Sequence, residues 1–245
     1  MKKFYYDLHI HSCLSPCGDD DNTPNNIAGM ATLCGLNIVA LTDHNTSKNC
    51  PAFFEAAEKY GIIPVAGMEL TTSEDIHVVC LFEKLSDALK FDEYVDNNRV
   101  KINNKPKIFG NQTVLDGNDE PIMEIESLLI NATNISISDI SDIVMRFGGI
   151  CYPAHIDRDS NGIIAILGSL PEDTPFALYE LNDSANIEKY SKQYGISAER
   201  FIICSDAHYL TNMRDKENFF EIEDEPYSAE LIRSRLFDIL RRQGK

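Results

Sequence analysis

The chain has 245 residues, 43% of them hydrophobic, a formal net charge of −17 at pH 7 and seven cysteines. That length supports one large core, and no apolar run approaches the roughly 20 residues needed to cross a bilayer, so no membrane partner is expected. The negative charge repels nucleic-acid phosphates and argues against long duplex nucleic acid as a partner, while an odd number of scattered cysteines suits a reducing cytoplasm better than a disulfide scaffold.

Residues 3–8 read as a strand, and the chain runs into it too directly for a cleaved signal. Thr23 caps a helix that Pro24 opens and that ends near Cys34-Gly35. Asn37–Leu41 is an apolar, β-branched strand. Pro51 opens a second helix ending near Tyr60-Gly61. Ile62–Ala66 and Ile76–Phe82 read as strands and Ser86–Val95 as a helix. Residues 98–122 are the least regular part, with a hairpin around Asp116-Gly117, and are read as a lid or surface elaboration. Helices follow over 124–132 and 138–147, then a strand (149–154), a helix (159–169), a strand (176–181), a helix (185–194), a strand (201–204) and an amphipathic helix (228–242). Strands alternating with helices predict an α/β fold with a parallel sheet or barrel, one domain over residues 1–245.

His9 and His11 end the first strand. Residues i and i+2 of a strand point the same way, so both imidazoles leave one face together. Asp43-His44 follows the second strand, Glu69 the third, His155 the strand over 149–154, and Asp206 and His208 the strand over 201–204. His77 begins its own strand. All six histidines of the chain are thereby placed, and in a barrel such strand ends converge on one face. Imidazole with carboxylate suits Zn, Mn or Fe rather than Ca or Mg alone. The ligands are too many for one ion, so two or three transition-metal ions are expected, with Glu69 as a bridging carboxylate. Closely spaced metals clamp an in-line displacement and generate hydroxide at neutral pH, the chemistry of phosphate-ester hydrolysis.

Six stretches, Asp7-Leu8-His9-Ile10-His11-Ser12, Leu41-Thr42-Asp43-His44-Asn45, Gly67-Met68-Glu69-Leu70-Thr71, Ile76-His77-Val78, Pro153-Ala154-His155 and Cys204-Ser205-Asp206-Ala207-His208, make the chain resemble the polymerase and histidinol phosphatase (PHP) superfamily of metal-dependent phosphoesterases. The resemblance implies a distorted (β/α)7 barrel with a trinuclear site. It places one metal on His9, His11, Glu69 and Asp206, and a second on Glu69, His77 and His155. The third would take His44, His208 and a group from the loop after His11. The family commonly has Asp or His five or six residues beyond that histidine. Here Pro16 and Cys17 stand there, so Cys17 is the preferred ligand, with Asp19 as the alternative.

Arg158, Lys48 and Arg214 follow site histidines closely and are candidates for binding substrate phosphate, Arg158 first because its planar fork matches phosphate. Glu69, Asp206 and Arg158 are the candidate catalytic residues. The expected function is hydrolysis of small phosphomonoesters or short nucleotide phosphoesters by metal-bound hydroxide. A phosphotyrosine-protein phosphatase and a non-catalytic metal-binding regulatory module are the alternatives.

Overall fold

A computed structural model describes residues 1–171 and 174–243. In chain order the elements are β1 (Lys2–Ile10), α1 (Pro24–Leu33), β2 (Ile38–Leu41), α2 (Cys50–Tyr60), β3 (Ile63–Thr71), β4 (His77–Phe82), α3 (Leu85–Asn98), α4 (Pro106–Phe109), β5 (Thr113–Leu115), β6 (Pro121–Glu124), α5 (Ile140–Arg146), β7 (Gly149–Pro153), α6 (Ile163–Leu167), β8 (Tyr179–Leu181), α7 (Ile187–Tyr194), β9 (Phe201–Ile203), β10 (Phe219–Ile222) and α8 (Ala229–Arg242). Local chemistry explains the clearest boundaries. The Thr23 side chain accepts from Asn26 N ahead of Pro24, Ser228 does the same for Leu231 N, and Gly61 closes α2 in the left-handed conformation that glycine tolerates.

Six strands form one sheet in the order β10-β1-β2-β3-β4-β7, and β8 pairs with β9. The sheet curls: a parallel bridge joins Ile10 to Ala207, bringing the end of β9 beside β1. Apolar side chains of the outer face pack with α1, α2, α3 and α5. The inner face forms a second core that α8 closes with Ile232, Leu236, Phe237 and Leu240.

The α/β class is as expected, but the regular β/α repeat does not run through the chain. β4 is antiparallel to both β3 and β7; against β3 this follows because residues 72–76 are too short a link for the crossover a parallel strand requires. The helix expected over 124–132 does not form. Ile125 N donates to Gln112 O, Leu128 N to Ile102 O, and the Gln112 amide holds Ile125 O, Ser127 O and Leu129 N, so tertiary partners replace helical ones. β10, unforeseen in the sequence, pairs with the start of β1 and stacks Phe220 on Tyr6 at 4.4 Å.

Candidate metal centre

The register of β1 on β2 aims the first two ligands. Asp7 pairs with Val39 and Ile10 with Leu41, so Leu8 and His9 together face Ala40, a β-bulge. An extra residue re-aims the chain. Leu8 lies in the inner core and Ile10 in the outer one, and His9 and His11 both turn to the inner mouth. There His9 Nε2 lies 3.2 Å from His11 Nε2, 3.4 Å from Glu69 Oε1 and 3.3 Å from Asp206 Oδ1. His11 Nε2 stands 3.1 Å from the same Asp206 oxygen and 3.3 Å from Glu69 Oε2.

Glu69 is the hub. His44 Nδ1 is 3.0 Å from its Oε2, while His77 Nδ1 and His155 Nε2 are 2.9 and 3.1 Å from its Oε1. Donor atoms lie within 4.8 Å of one another in three groups: His9, His11, Glu69 and Asp206; His44, Glu69 and His77; His11, His44 and His208. The first is the ligand set implied by the resemblance. In the others His44 accompanies His77 at Glu69, and His11 joins His44 and His208. Cys17 places Sγ 3.2 Å from His44 Nε2. The Asp19 side chain instead accepts from Asp21 N. The loop carrying Cys17 is folded tightly back, since a Cβ on Gly18 would lie 2.3 Å from Ser12 O.

These side chains fit metal ions better than they fit one another. Glu69 Oε2, Asp206 Oδ1 and His44 Nδ1 are buried without a hydrogen-bond partner. Buried polar atoms ordinarily have one, and here they are crowded toward common points instead. His155 and Asp206 also adopt φ of 29° and 52°, a strain that persists where surrounding structure imposes it.

Electrostatics divide the imidazoles. Burial opposes charge on His9 and His11, but carboxylates outweigh it: Glu180, Asp206 and Glu69 hold His9 well above the usual range, and Asp206 and Glu69 raise His11 to about 9. Burial wins at His44 and His208, which fall to about 3 and about 4. Glu69 and Asp206 are depressed despite burial by the imidazoles around them. Cys17 is exposed at the rim as a residue, yet burial of its thiol beside Glu69 and Asp206 pushes it up to about 12.

A supporting layer escaped sequence reasoning. Glu180, fully buried, takes His9 Nδ1 at 2.9 and 3.0 Å and accepts from His155 N at 3.1 Å. On the other side His11 Nδ1 meets Ser15 Oγ at 2.9 Å, Ser15 donates to Asp43 Oδ1 at 2.7 Å, and Asp43 also accepts from Ser12 N and Oγ. Partners of this kind fix ring orientation. The available signal was a carboxylate inside an apolar run, Tyr179-Glu180-Leu181, since a buried charge needs a partner.

Among the cationic candidates only Arg158 reaches the mouth. It lines a cavity of about 160 Å³ with Cys17, His44, Glu69, His77, His155, Asp206 and His208, and its Nη1 donates to Asp206 Oδ2. Lys48 is paired with Asp92, which also accepts from Thr46 Oγ1 and Ser47 N. Arg214 donates to Asn182 O. Neither lines the cavity.

A family model described as PHP domain matches residues 7–169. A 5'-3' exoribonuclease of Haemophilus influenzae is 36% identical over 83 residues, 32% of this chain and 29% of that protein. Endonuclease Q of Pyrococcus furiosus superposes with a TM-score of 0.63 at 19% identity, over 96% of this chain and 56% of its own. An endonuclease Q complex with a 27-mer duplex bearing an abasic lesion at the active site gives 0.63 at 20%, over 91% and 54%. A Bifidobacterium adolescentis protein assigned as a metal-dependent phosphoesterase gives 0.55 at 16%, over 97% and 96%. The chain thus spans less than a third of that exoribonuclease and little more than half of endonuclease Q. The duplex complex overturns one expectation. A protein of this fold carries a long duplex at its active site, so net charge does not exclude such a partner; the field near a site, rather than the sum over the surface, governs what approaches. Among the described residues no helix is long and apolar enough to cross a membrane.

Proposed function

The chain belongs to the PHP domain family of metal-dependent phosphoesterases, and from that premise we propose that it hydrolyses phosphate esters, small phosphomonoesters or short nucleotide phosphoesters, with Mn, Fe or Zn as cofactor. His9, His11, Glu69 and Asp206 would hold one ion, Glu69 with His77 and His155 or His44 a second, and His44, His208 and Cys17 a third. When bound, such ions supply charge neutralisation and an activated water. The observation that supports this most is the convergence of eight donor side chains around the buried carboxylate of Glu69, with all but His9 and His11 lining one cavity.

The remaining roles belong to the chain's own groups. Glu69 faces imidazoles through both oxygens and is the residue to bridge two ions. Arg158 leaves 39% of its side chain exposed beside Asp206, so its fork can take a phosphate oxygen entering from solvent. Glu180 and the Ser15–Asp43 pair hold the His9 and His11 rings toward the mouth. Residues 98–122 form a cover at the rim within the same domain.

The test is turnover of aryl phosphate mono- and diesters by protein supplied with Mn, Fe or Zn, with metal content measured on the same sample. At least two equivalents of metal and turnover abolished in Glu69→Gln are expected. Metal-replete protein inert toward every ester would overturn the reading.

A further inference from the structure

Segment 97–115 contains Arg99, Lys101, Lys105 and Lys107 and no acidic residue, in a chain with 39 acidic and 22 basic residues. We propose that this segment is a binding arm for a single-stranded nucleic acid, holding the part of the strand that lies beyond the phosphate in the metal cavity. The proposal rests on the phosphoesterase reading above and adds a substrate class to it.

Position is the first argument. The arm passes over the loop that carries Cys17: a Cβ built on Gly110 would lie 4.0 Å from Pro16 O. Gly110 has φ 74° and ψ 177°, a conformation essentially reserved for glycine, so the chain is bent there at a cost other residues could not meet. Lys107 lies on α4, three residues before Gly110 in the chain. The body grips the arm from behind. Arg99 Nη1 donates to Leu128 O, Asn104 N to Glu126 O and Leu128 N to Ile102 O.

Charge is the second argument. Lys101, Lys105 and Lys107 are exposed. Lys101 is paired with Asp96, whereas Lys105 and Lys107 enter none of the ion pairs among the described residues. The hollow under the arm is lined by Glu124 and Glu126 with Asn103, Asn104 and Asn111, and neither of these two lysines lines it. Two ammonium groups outside these ion pairs are therefore exposed on the segment that passes the Cys17 loop, in a chain of net charge −17.

Size is the third. A cavity of about 160 Å³ admits a phosphoryl group and little more, so the rest of any longer substrate must lie across the rim. A single strand meets these features best. Its phosphates recur at a spacing separate lysines can follow, and Phe109, half-buried beside Gly110, offers an apolar edge for a base.

The experiment measures binding of a fluorescent 12-nucleotide single strand by anisotropy across a salt series, in the parent and in Lys105→Ala/Lys107→Ala, with aryl phosphate turnover followed in parallel. Two lost contacts at a slope of about 0.7 each should reduce the salt dependence by about 1.4 and weaken binding roughly 25-fold at 0.1 M salt. Aryl phosphate turnover should not change. Equal affinity in parent and variant overturns the arm while leaving the phosphoesterase reading intact. Binding to anionic phosphatidylserine vesicles but not to the strand also overturns it, and makes the arm a membrane contact. Strand binding that the variant loses, with no turnover of any ester by the metal-loaded parent, supports the arm and removes the phosphoesterase reading.

Discussion

Glu180 offers the sharpest test of how the site is held. Its carboxylate touches no solvent, and its Oε1 serves two donors, His9 Nδ1 at 2.9 Å and His155 N at 3.1 Å. Glu180→Gln keeps one oxygen for these bonds but places an NH₂ where Oε2 lies 3.0 Å from His9 Nδ1. That sets a donor against a ring N–H, and the negative charge that makes His9 a stronger ligand is lost. Removal of such an outer carboxylate typically costs 10–100-fold in metal affinity or activity, about 1.4–2.8 kcal/mol. Two ligands from distant parts of the chain, His9 and His155, depend on Glu180, so the upper half of that range is expected. Competition with a chelating dye reads metal affinity, and far-UV circular dichroism checks that the fold is intact. Metal affinity within twofold of the parent would refute the claim that Glu180 orients His9.

Three further outcomes follow from the geometry. Cys17→Ser should remove about one ion from a trinuclear site and relieve any preference for Zn or Fe there, whereas Asp19→Asn, whose side chain is turned to Asp21 N, should leave stoichiometry unchanged; elemental analysis distinguishes them. Arg158→Ala should raise KM for an aryl phosphate roughly tenfold or more, as loss of a charge-assisted bond would, with metal content constant; unchanged KM and kcat exclude it as a phosphate ligand. In the metal-free protein carboxylates raise His9 well above its usual range and His11 to about 9, which favours protonated rings near neutral pH. Metal needs the neutral rings, so binding should release protons and tighten as pH rises toward 9, and calorimetry in buffers of different ionisation enthalpy should show it.

How far the sequence discloses this site depends on the kind of residue. His9, His11, His44, Glu69, His155, Asp206 and His208 are legible because each ends a short apolar run, and run ends converge in a curled sheet. His77 is legible only through its flanking pattern, for it begins β4, and β4 enters the site from the opposite direction as an antiparallel strand. Glu180 is marked only as a carboxylate inside an apolar run, since its partner His9 lies 171 residues away, and Ser15 carries no signal of its own although it meets His11 only 4 residues away. Lys48 shows the converse failure. Its nearness to His44 in sequence suggests phosphate, but Asp92 on α3 claims it, a partner 44 positions away. The fold follows the same rule: α1, α2 and α8 carry their own caps and are readable, while residues 124–132 have helical composition but take partners from the arm.

The acidity of the chain and an anionic substrate are compatible once charge is located. At the mouth the carboxylates of Glu69 and Asp206 are surrounded by six imidazoles, and two or three divalent ions would make the centre cationic whatever the surface carries. Arg158 is already inside this arrangement through Asp206 Oδ2. A guanidinium has five N–H donors, so Arg158 can keep that bond and still present the rest of its fork to a phosphate, with no ion pair broken when substrate arrives. The carboxylate of Asp206 then serves two ends: one oxygen faces the His9 and His11 rings, and the other fixes the cation that meets the substrate. Asp206→Asn should therefore lower both metal content and phosphate affinity, where Arg158→Ala lowers only the second.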